Sequence, residues 1–168
     1  VLVDDLRARI PEVSLTTDVI VGFPGESEAE FAESAAFIER MRFSRLHVFR
    51  YSRRAGTVAD KLPDQVPPQV AQERSDCLMG LGERLARAFH ERFVGREVEV
   101  LFESSHVKGH MRLWDGLTDN YLRVTVPSCR ELANTLARVR CASADADGLT
   151  GELMPDSFPA VARMTHAP

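Results

Sequence analysis

The sequence predicts an α/β segment followed by a small all-β barrel, and three observations carry that prediction. First, the β-branched run Thr17-Asp18-Val19-Ile20-Val21 breaks into a Gly22-Phe23-Pro24-Gly25-Glu26 turn, then a helical stretch and a second apolar strand. Strand, helix and strand within about 35 residues make a βαβ unit, which implies parallel strands and a right-handed crossover. Second, Pro67-Pro68 opens a long amphipathic helix. Third, five short strand-like segments separated by turn residues fill about 60 residues after Gly95, the pattern of a small closed β-barrel of the OB-like kind.

The elements follow in order. Residues 1–10 read as the end of an amphipathic helix, stopped by Pro11. Residues 14–23 read as a strand, and the near-continuous apolar run suits burial on both faces. Ser27 and Glu30 form a capping box at the start of a helix over 28–41, with Phe31, Ala35, Ile38 and Met41 at helical spacing. The next strand spans 43–49. A polar loop over 50–63 carries Gly56. In the long helix, Val70, Leu78, Leu81, Leu85 and Phe89 mark the buried stripe. Gly80 and Gly82 cost it roughly 1 kcal/mol each relative to Ala, and they either allow close packing or mark a weak point. Barrel strands are expected at 97–103, 107–114, 121–126, 135–141 and 151–154, with turns at Asp115-Gly116, Pro127-Ser128 and Asp147-Gly148. The tail from Pro155 is expected to be loose.

Composition excludes several classes. A formal net charge of -4 rules out a whole-protein electrostatic case for nucleic-acid binding. No apolar run approaches the roughly 20 residues of a membrane span. No signal peptide interrupts the reading, because Asp4, Asp5, Arg7 and Arg9 occupy the start. Cys77, Cys129 and Cys141 are odd in number and far apart. They read as reduced cytosolic thiols rather than a disulfide framework or a metal-ligand set. The chain opens on Val1 within a helix, so it is expected to be the C-terminal fragment of a longer protein.

Three constellations could carry chemistry. In an α/β barrel the loops at the C-terminal strand ends hold the active site. Asp18 is a carboxylate inside an apolar strand and should meet a donor, either on a ligand or on a neighbouring strand. Gly22 and Gly25 let a ligand approach closely, or serve the turn alone. Arg53 and Arg54 either clamp a phosphate or carboxylate or stand as a solvated pair. In the last section, Arg112, Trp114, Tyr121 and Arg123 are the residue types with which OB-like folds hold splayed RNA bases. On composition alone, Trp114 and Tyr121 suit a core or rim position better than an RNA contact. From Arg96 to Arg163 the chain has eight basic against ten acidic side chains, a net of -2, so charge does not corroborate RNA binding.

Two motifs carry a resemblance: Thr17-Asp18-Val19-Ile20-Val21-Gly22-Phe23-Pro24-Gly25-Glu26, and His47-Val48-Phe49-x-Tyr51-Ser52-x-Arg54-x-Gly56-Thr57. Together they resemble the C-terminal part of the MiaB-like radical-SAM methylthiotransferases. Phe93-x-Gly95, the run from Val98 to Glu103, Gly116-Leu117-Thr118-Asp119-Asn120-Tyr121 and Gly151-Glu152-Leu153 are similar to that family's TRAM domain. The implied fold is the end of a radical-SAM (β/α) barrel over 1–66, a connecting helix over 67–92, a TRAM barrel over 93–160 and a tail over 161–168.

The resemblance further implies an enzyme that adds a methylthio group to carbon 2 of a tRNA adenosine. It would use S-adenosylmethionine and two [4Fe-4S] clusters, with an electron donor as a second partner. The cluster cysteines and catalytic groups would lie outside this chain, which would be inactive alone and hold no metal. Asp18 would hydrogen-bond S-adenosylmethionine, Ile20 would pack on its adenine, Gly22 would leave room, and Phe49 would line the same pocket. Arg54 would contact tRNA or the cofactor carboxylate, while Arg112, Tyr121 and Arg123 would meet RNA. The protein would be cytoplasmic and would not engage a membrane. The motifs look most like the branch acting on N6-threonylcarbamoyladenosine, with the isopentenyladenosine branch as the alternative and the ribosomal-protein branch less similar. A stand-alone TRAM-type RNA binder is the non-enzymatic reading. Arg53 and Ala55 stand where the family usually has prolines, which loosens the loop. Leu117 stands where the TRAM motif commonly has tyrosine, which removes one stacking surface.

Overall fold

The computed structural model describes residues 2–157. The chain divides into two compact units, residues 1–90 and 91–168.

The first unit contains α1 (Leu2–Arg9), β1 (Thr16–Val21), α2 (Glu28–Met41), β2 (Arg45–Arg50) and most of α3 (Pro68–Glu91). β1 and β2 pair in parallel, from Thr16 opposite Arg45 to Val21 opposite Arg50. The capping box forms as the sequence predicts: Ser27 Oγ accepts from the Glu30 N–H, and Glu30 Oε2 accepts from the Ser27 N–H at 2.8 Å. At the other end of α2, Arg7 of α1 donates to the carbonyls of Met41 and Arg42 at 2.6 and 2.8 Å. These carbonyls have no partner within their helix, and a cation also suits the helix C-terminal dipole.

Val21, Phe31, Ile38, Leu78 and Leu81 form the buried core, with Val19, Ala35, Phe43, Leu46, Val48 and Leu85 packed around them. Full burial of each large side chain contributes about 1.5–3 kcal/mol. Gly82 serves close packing, since a Cβ there would lie 3.3 Å from Leu46, whereas Gly80 faces open space.

The apolar run predicts burial on both faces of β1. β1 is not buried on both faces. Its burial alternates, and so does that of β2. The helices cover the face carrying Val19, Val21, Leu46 and Val48. Asp18, Ile20, His47 and Phe49 lie exposed on the other face. A continuous apolar run does not reveal that only one of its faces is packed.

The second unit is a closed five-stranded barrel of β3 (Glu97–Lys108), β4 (Met111–Leu117), β5 (Arg123–Pro127), β6 (Thr135–Ala144) and β7 (Leu149–Leu153). Its order is β3-β4-β5-β7-β6, antiparallel except where β5 meets β7. Val100, Phe102, Trp114, Val124, Val126, Val139 and Leu149 fill the interior at alternate strand positions.

The number of strands agrees with the sequence, but one turn does not. The hairpin between β3 and β4 lies at Gly109-His110, with Gly109 at φ 64°, whereas Asp115-Gly116 lies inside β4. At Gly116 a Cβ would sit 2.4 Å from the Leu101 carbonyl oxygen, so β3 and β4 can approach only with glycine there. Asp115 is held in the strand by its neighbours. It accepts from Thr125 Oγ1 at 2.6 Å and contacts His106 Nδ1 at 2.9 Å. The stretch expected to be loose from Pro155 starts instead as a 3-10 turn, Pro155–Ser157, whose Ser157 Oγ accepts from the Arg138 N–H at 3.1 Å and donates to the Arg138 carbonyl at 2.8 Å, while the tail expected over 161–168 lies outside the described residues.

Candidate functional site

Each unit carries one candidate surface. In the first, the parallel strands deliver their C-terminal ends to the same edge. The ladder continues past the strands, because the Tyr51 N–H donates to the Val21 carbonyl at 2.8 Å. The Phe23 and Tyr51 rings then meet edge to face, 5.2 Å apart. The loops leaving this edge border a cavity of about 700 Å³, whose lining includes Gly22, Phe49, Tyr51, Arg53, Val66 and Ala71.

Asp18 sits opposite His47, and Ile20 sits opposite Phe49, all on the open face. Ile20 is 57% and Phe49 52% exposed, high for side chains of this size. The Asp18 carboxylate is also exposed and accepts no hydrogen bond from the described residues. The expected donor from a neighbouring strand is therefore not found. The desolvation that required it does not arise on a solvated face.

Gly22 and Gly25 both adopt positive φ, 75° and 86°. Gly25 serves the turn, donating its N–H to the Asp64 carbonyl at 2.9 Å, with open space where a Cβ would point. Gly22 is buried, and a Cβ there would come within 2.6 Å of the Ala71 Cβ. The space it leaves is thus taken by α3.

Arg53 is tied to Asp60 through both a side-chain contact at 2.6 Å and a backbone contact at 2.8 Å. Arg54 is exposed and lies off the cavity lining. Its carbonyl accepts from the Thr57 N–H and hydroxyl, which closes the turn despite the missing prolines. Sequence reasoning therefore named the arginine that the structure leaves outside the cavity.

Sequence reasoning also missed Arg74. This α3 residue is only 6% exposed. Its guanidinium donates to the Glu26 carbonyl at 2.9 Å and to Glu26 Oε2 at 2.7 Å, approaches Glu28 at 3.3 Å, and lies over the Phe31 ring. The same Glu26 oxygen accepts the Gly22 N–H at 2.7 Å. A signal was present, because 71, 74, 78 and 81 follow the helical core spacing and Arg74 breaks the apolar set.

In the barrel, Thr118 is buried and organises its loop. Its hydroxyl accepts the Leu122 N–H at 2.9 Å and donates to Asn120 Oδ1 at 2.6 Å. This tight loop holds Tyr121 at φ 63° with 80% of its surface exposed. Left-handed backbone is uncommon for a bulky residue. Arg123 follows on the outer face, opposite Leu117. Arg112 lies at the far end of β4, about 17 Å away by strand rise, and faces Glu131 at 3.5 Å. The structure therefore groups Tyr121 with Arg123 and separates Arg112 from them. Trp114 is 2% exposed in the barrel core, in line with the core reading.

Among the described residues no group of three His, Cys, Asp or Glu side chains could hold a metal ion. No described helix is long and apolar enough to cross a membrane.

No family model matches the chain. Curated relatives do. The chain is 40% identical to a tRNA-2-methylthio-N(6)-dimethylallyladenosine synthase of Moorella thermoacetica, over 91% of this chain and 34% of that protein. It is 36% identical to the threonylcarbamoyladenosine tRNA methylthiotransferase MtaB of Bacillus subtilis, over 80% of this chain and 30% of that protein. It is 47% identical to the ribosomal protein uS12 methylthiotransferase RimO of Roseiflexus castenholzii, over 61% of this chain and 21% of that protein. The chain belongs to the methylthiotransferase family. Within it, the chain corresponds to the C-terminal region of members that act on tRNA or on a ribosomal protein, and it spans about a third or less of their length.

Proposed function

We propose that the full-length protein is a radical-SAM methylthiotransferase that modifies carbon 2 of an N6-substituted adenosine beside the tRNA anticodon. The α/β unit is then the end of the radical-SAM barrel, and the five-stranded barrel is its TRAM domain. The observation that carries the reading is the open face of β1 and β2, where Asp18, Ile20 and Phe49 stand together beside the strand-end loop.

These residues fit a nucleoside-bearing sulfonium cofactor. An unpartnered carboxylate can accept from a hydroxyl or amino group, and two exposed apolar side chains can cover an adenine. S-adenosylmethionine supplies the radical chemistry when bound, and the protein positions it. Asp18 accepts a hydrogen bond from the cofactor, and Ile20 and Phe49 exclude water from its adenine. Gly22 keeps the loop tight against α3, and Arg54 offers a cation at the rim. The described residues do not fit the iron–sulfur clusters, which this reading assigns to residues outside the chain. Tyr121 and Arg123 stack on and pair with single-stranded RNA, and Arg112 makes a separate contact. An electron donor as partner and a cytoplasmic location belong to the same proposal.

The favoured substituent is N6-threonylcarbamoyl, on the His47-Val48-Phe49 and Gly116-to-Tyr121 motifs. The dimethylallyl substituent is the second reading, on the broader match to the Moorella thermoacetica relative. Nucleoside mass spectrometry of tRNA from a strain lacking the full gene tests both. Loss of the methylthio-threonylcarbamoyl nucleoside is expected. Loss of the methylthio-dimethylallyl nucleoside instead transfers the assignment, and an unchanged tRNA profile rejects a tRNA substrate.

A further inference from the structure

Helix α3 grips the loop after β1 with two residues one turn apart. Ala71 fills the space beneath Gly22, and Arg74 reaches the far side of the loop through Glu26. Glu26 Oε2 is the hinge of the arrangement, because it accepts from both the Arg74 guanidinium and the Gly22 N–H. Gly22 is the first residue past β1, two positions beyond Ile20. A displaced Gly22 amide therefore moves the end of the strand that presents Asp18 and Ile20.

We propose that Arg74 is a positioning residue for this strand-end site: acting through Glu26, it fixes the Gly22 amide and so the face that receives the cofactor. This deepens, and rests on, the cofactor reading above. Three features favour this role over an ion pair that only stabilises the fold. The guanidinium is 6% exposed, and its Nη1 donates to both the carbonyl and the carboxylate of Glu26 while its Nη2 reaches Glu28 at 3.3 Å, a span over two residues that a single lysine nitrogen does not cover. Its acceptor is shared with a backbone amide of the loop rather than spent on a side chain alone. And Arg74 keeps its Nε buried without a hydrogen-bond partner among the described residues. That cost is uncommon for a pair that only stabilises, since a buried ion pair is often matched or bettered by apolar residues.

The test uses the full-length protein with Arg74→Lys, and with the pair Arg74→Met and Glu26→Gln, which leaves no orphaned charge should the first variant fold poorly. Hydrogen exchange of the Gly22 amide is read without cofactor, and S-adenosylmethionine affinity is read by equilibrium dialysis well below the unfolding midpoint. Exchange at Gly22 about tenfold faster is expected, with protection in β2 retained. Affinity should fall on the order of tenfold in the same variants. Wild-type exchange at Gly22 in either folded variant overturns the proposal, as does wild-type affinity. Failure of the unaltered protein to bind S-adenosylmethionine rejects the cofactor reading instead, and the exchange measurement still judges the clamp.

Discussion

Replacing Gly22 by alanine should unfold the α/β unit far more readily than its size implies. Two costs meet at this position. Its φ of 75° lies in left-handed space, where a Cβ costs about 1–2 kcal/mol. The added methyl would stand 2.6 Å from the Ala71 Cβ and 3.4 Å from its Cα, with backbone behind it and no flexible chain to yield. Overpacking of this kind costs about 1–3 kcal/mol. Loss of glycine entropy in the unfolded chain returns about 0.4–1 kcal/mol. The net is a destabilisation of roughly 2–4 kcal/mol, or a urea midpoint lowered by about 2 M for a slope of about 1.5 kcal/mol per molar. Among the described residues the α-helices all lie within residues 2–91, so helical circular dichroism follows this unit. Trp114, the single tryptophan, lies in the barrel, so its fluorescence follows the other unit. The dichroism transition should move and the fluorescence transition should stay. Adding Ala71→Gly removes the clash, and the double variant should recover about 1–2 kcal/mol relative to the sum of the two changes. A midpoint shift under about 0.5 M for Gly22→Ala, or strict additivity in the double variant, would refute the contact on which the argument stands.

Two further outcomes follow from other residues. Tyr121→Gly should weaken single-stranded RNA binding of the full-length protein at least about fivefold, since one stacked base contributes about 1–3 kcal/mol, while relief of the left-handed backbone raises barrel stability by up to about 1 kcal/mol; affinity and stability falling together would show that the ring is structural. The Glu30 carboxyl is held below its ordinary value of 4.5 by the Ser27 N–H and then the Ser27 hydroxyl. A depressed folded-state value contributes stability above the unfolded value that is lost as pH falls through the folded one. The gap in melting temperature between wild type and Glu30→Gln should therefore hold above pH 4.5 and close below it, and a gap independent of pH would refute the cap.

Local signals were legible wherever one element determined its own structure. Ser27 and Glu30 cap α2 by contacts three residues apart, so their spacing alone specifies the geometry. The alternation of β3 from Glu97 to Phe102 was equally plain. What stayed hidden depends on chain segments distant in sequence. Asp115-Gly116 has the composition of a turn, and only the approach of Leu101 across the barrel makes Gly116 a strand residue. Arg74 looks like one more cation on a charged helix until Glu26, remote in sequence, arrives beside it. For the site, the strand-end location follows from the strand–helix–strand order, whereas the face shared by Asp18, Ile20 and Phe49 depends on the register that sets Ile20 opposite Phe49. The different surroundings of Arg53 and Arg54 were not legible, because Asp60 meets the first side chain and Thr57 the second residue's carbonyl only in the folded turn.

The grip of α3 on the loop also constrains how this lineage can diverge. A larger residue at 22 is tolerable only if position 71 shrinks, and a change at 26 strands the cation at 74 unless both are exchanged in step. Substitutions at these positions should therefore arrive as correlated pairs in related sequences, whereas Gly25, whose neighbourhood is open, drifts alone.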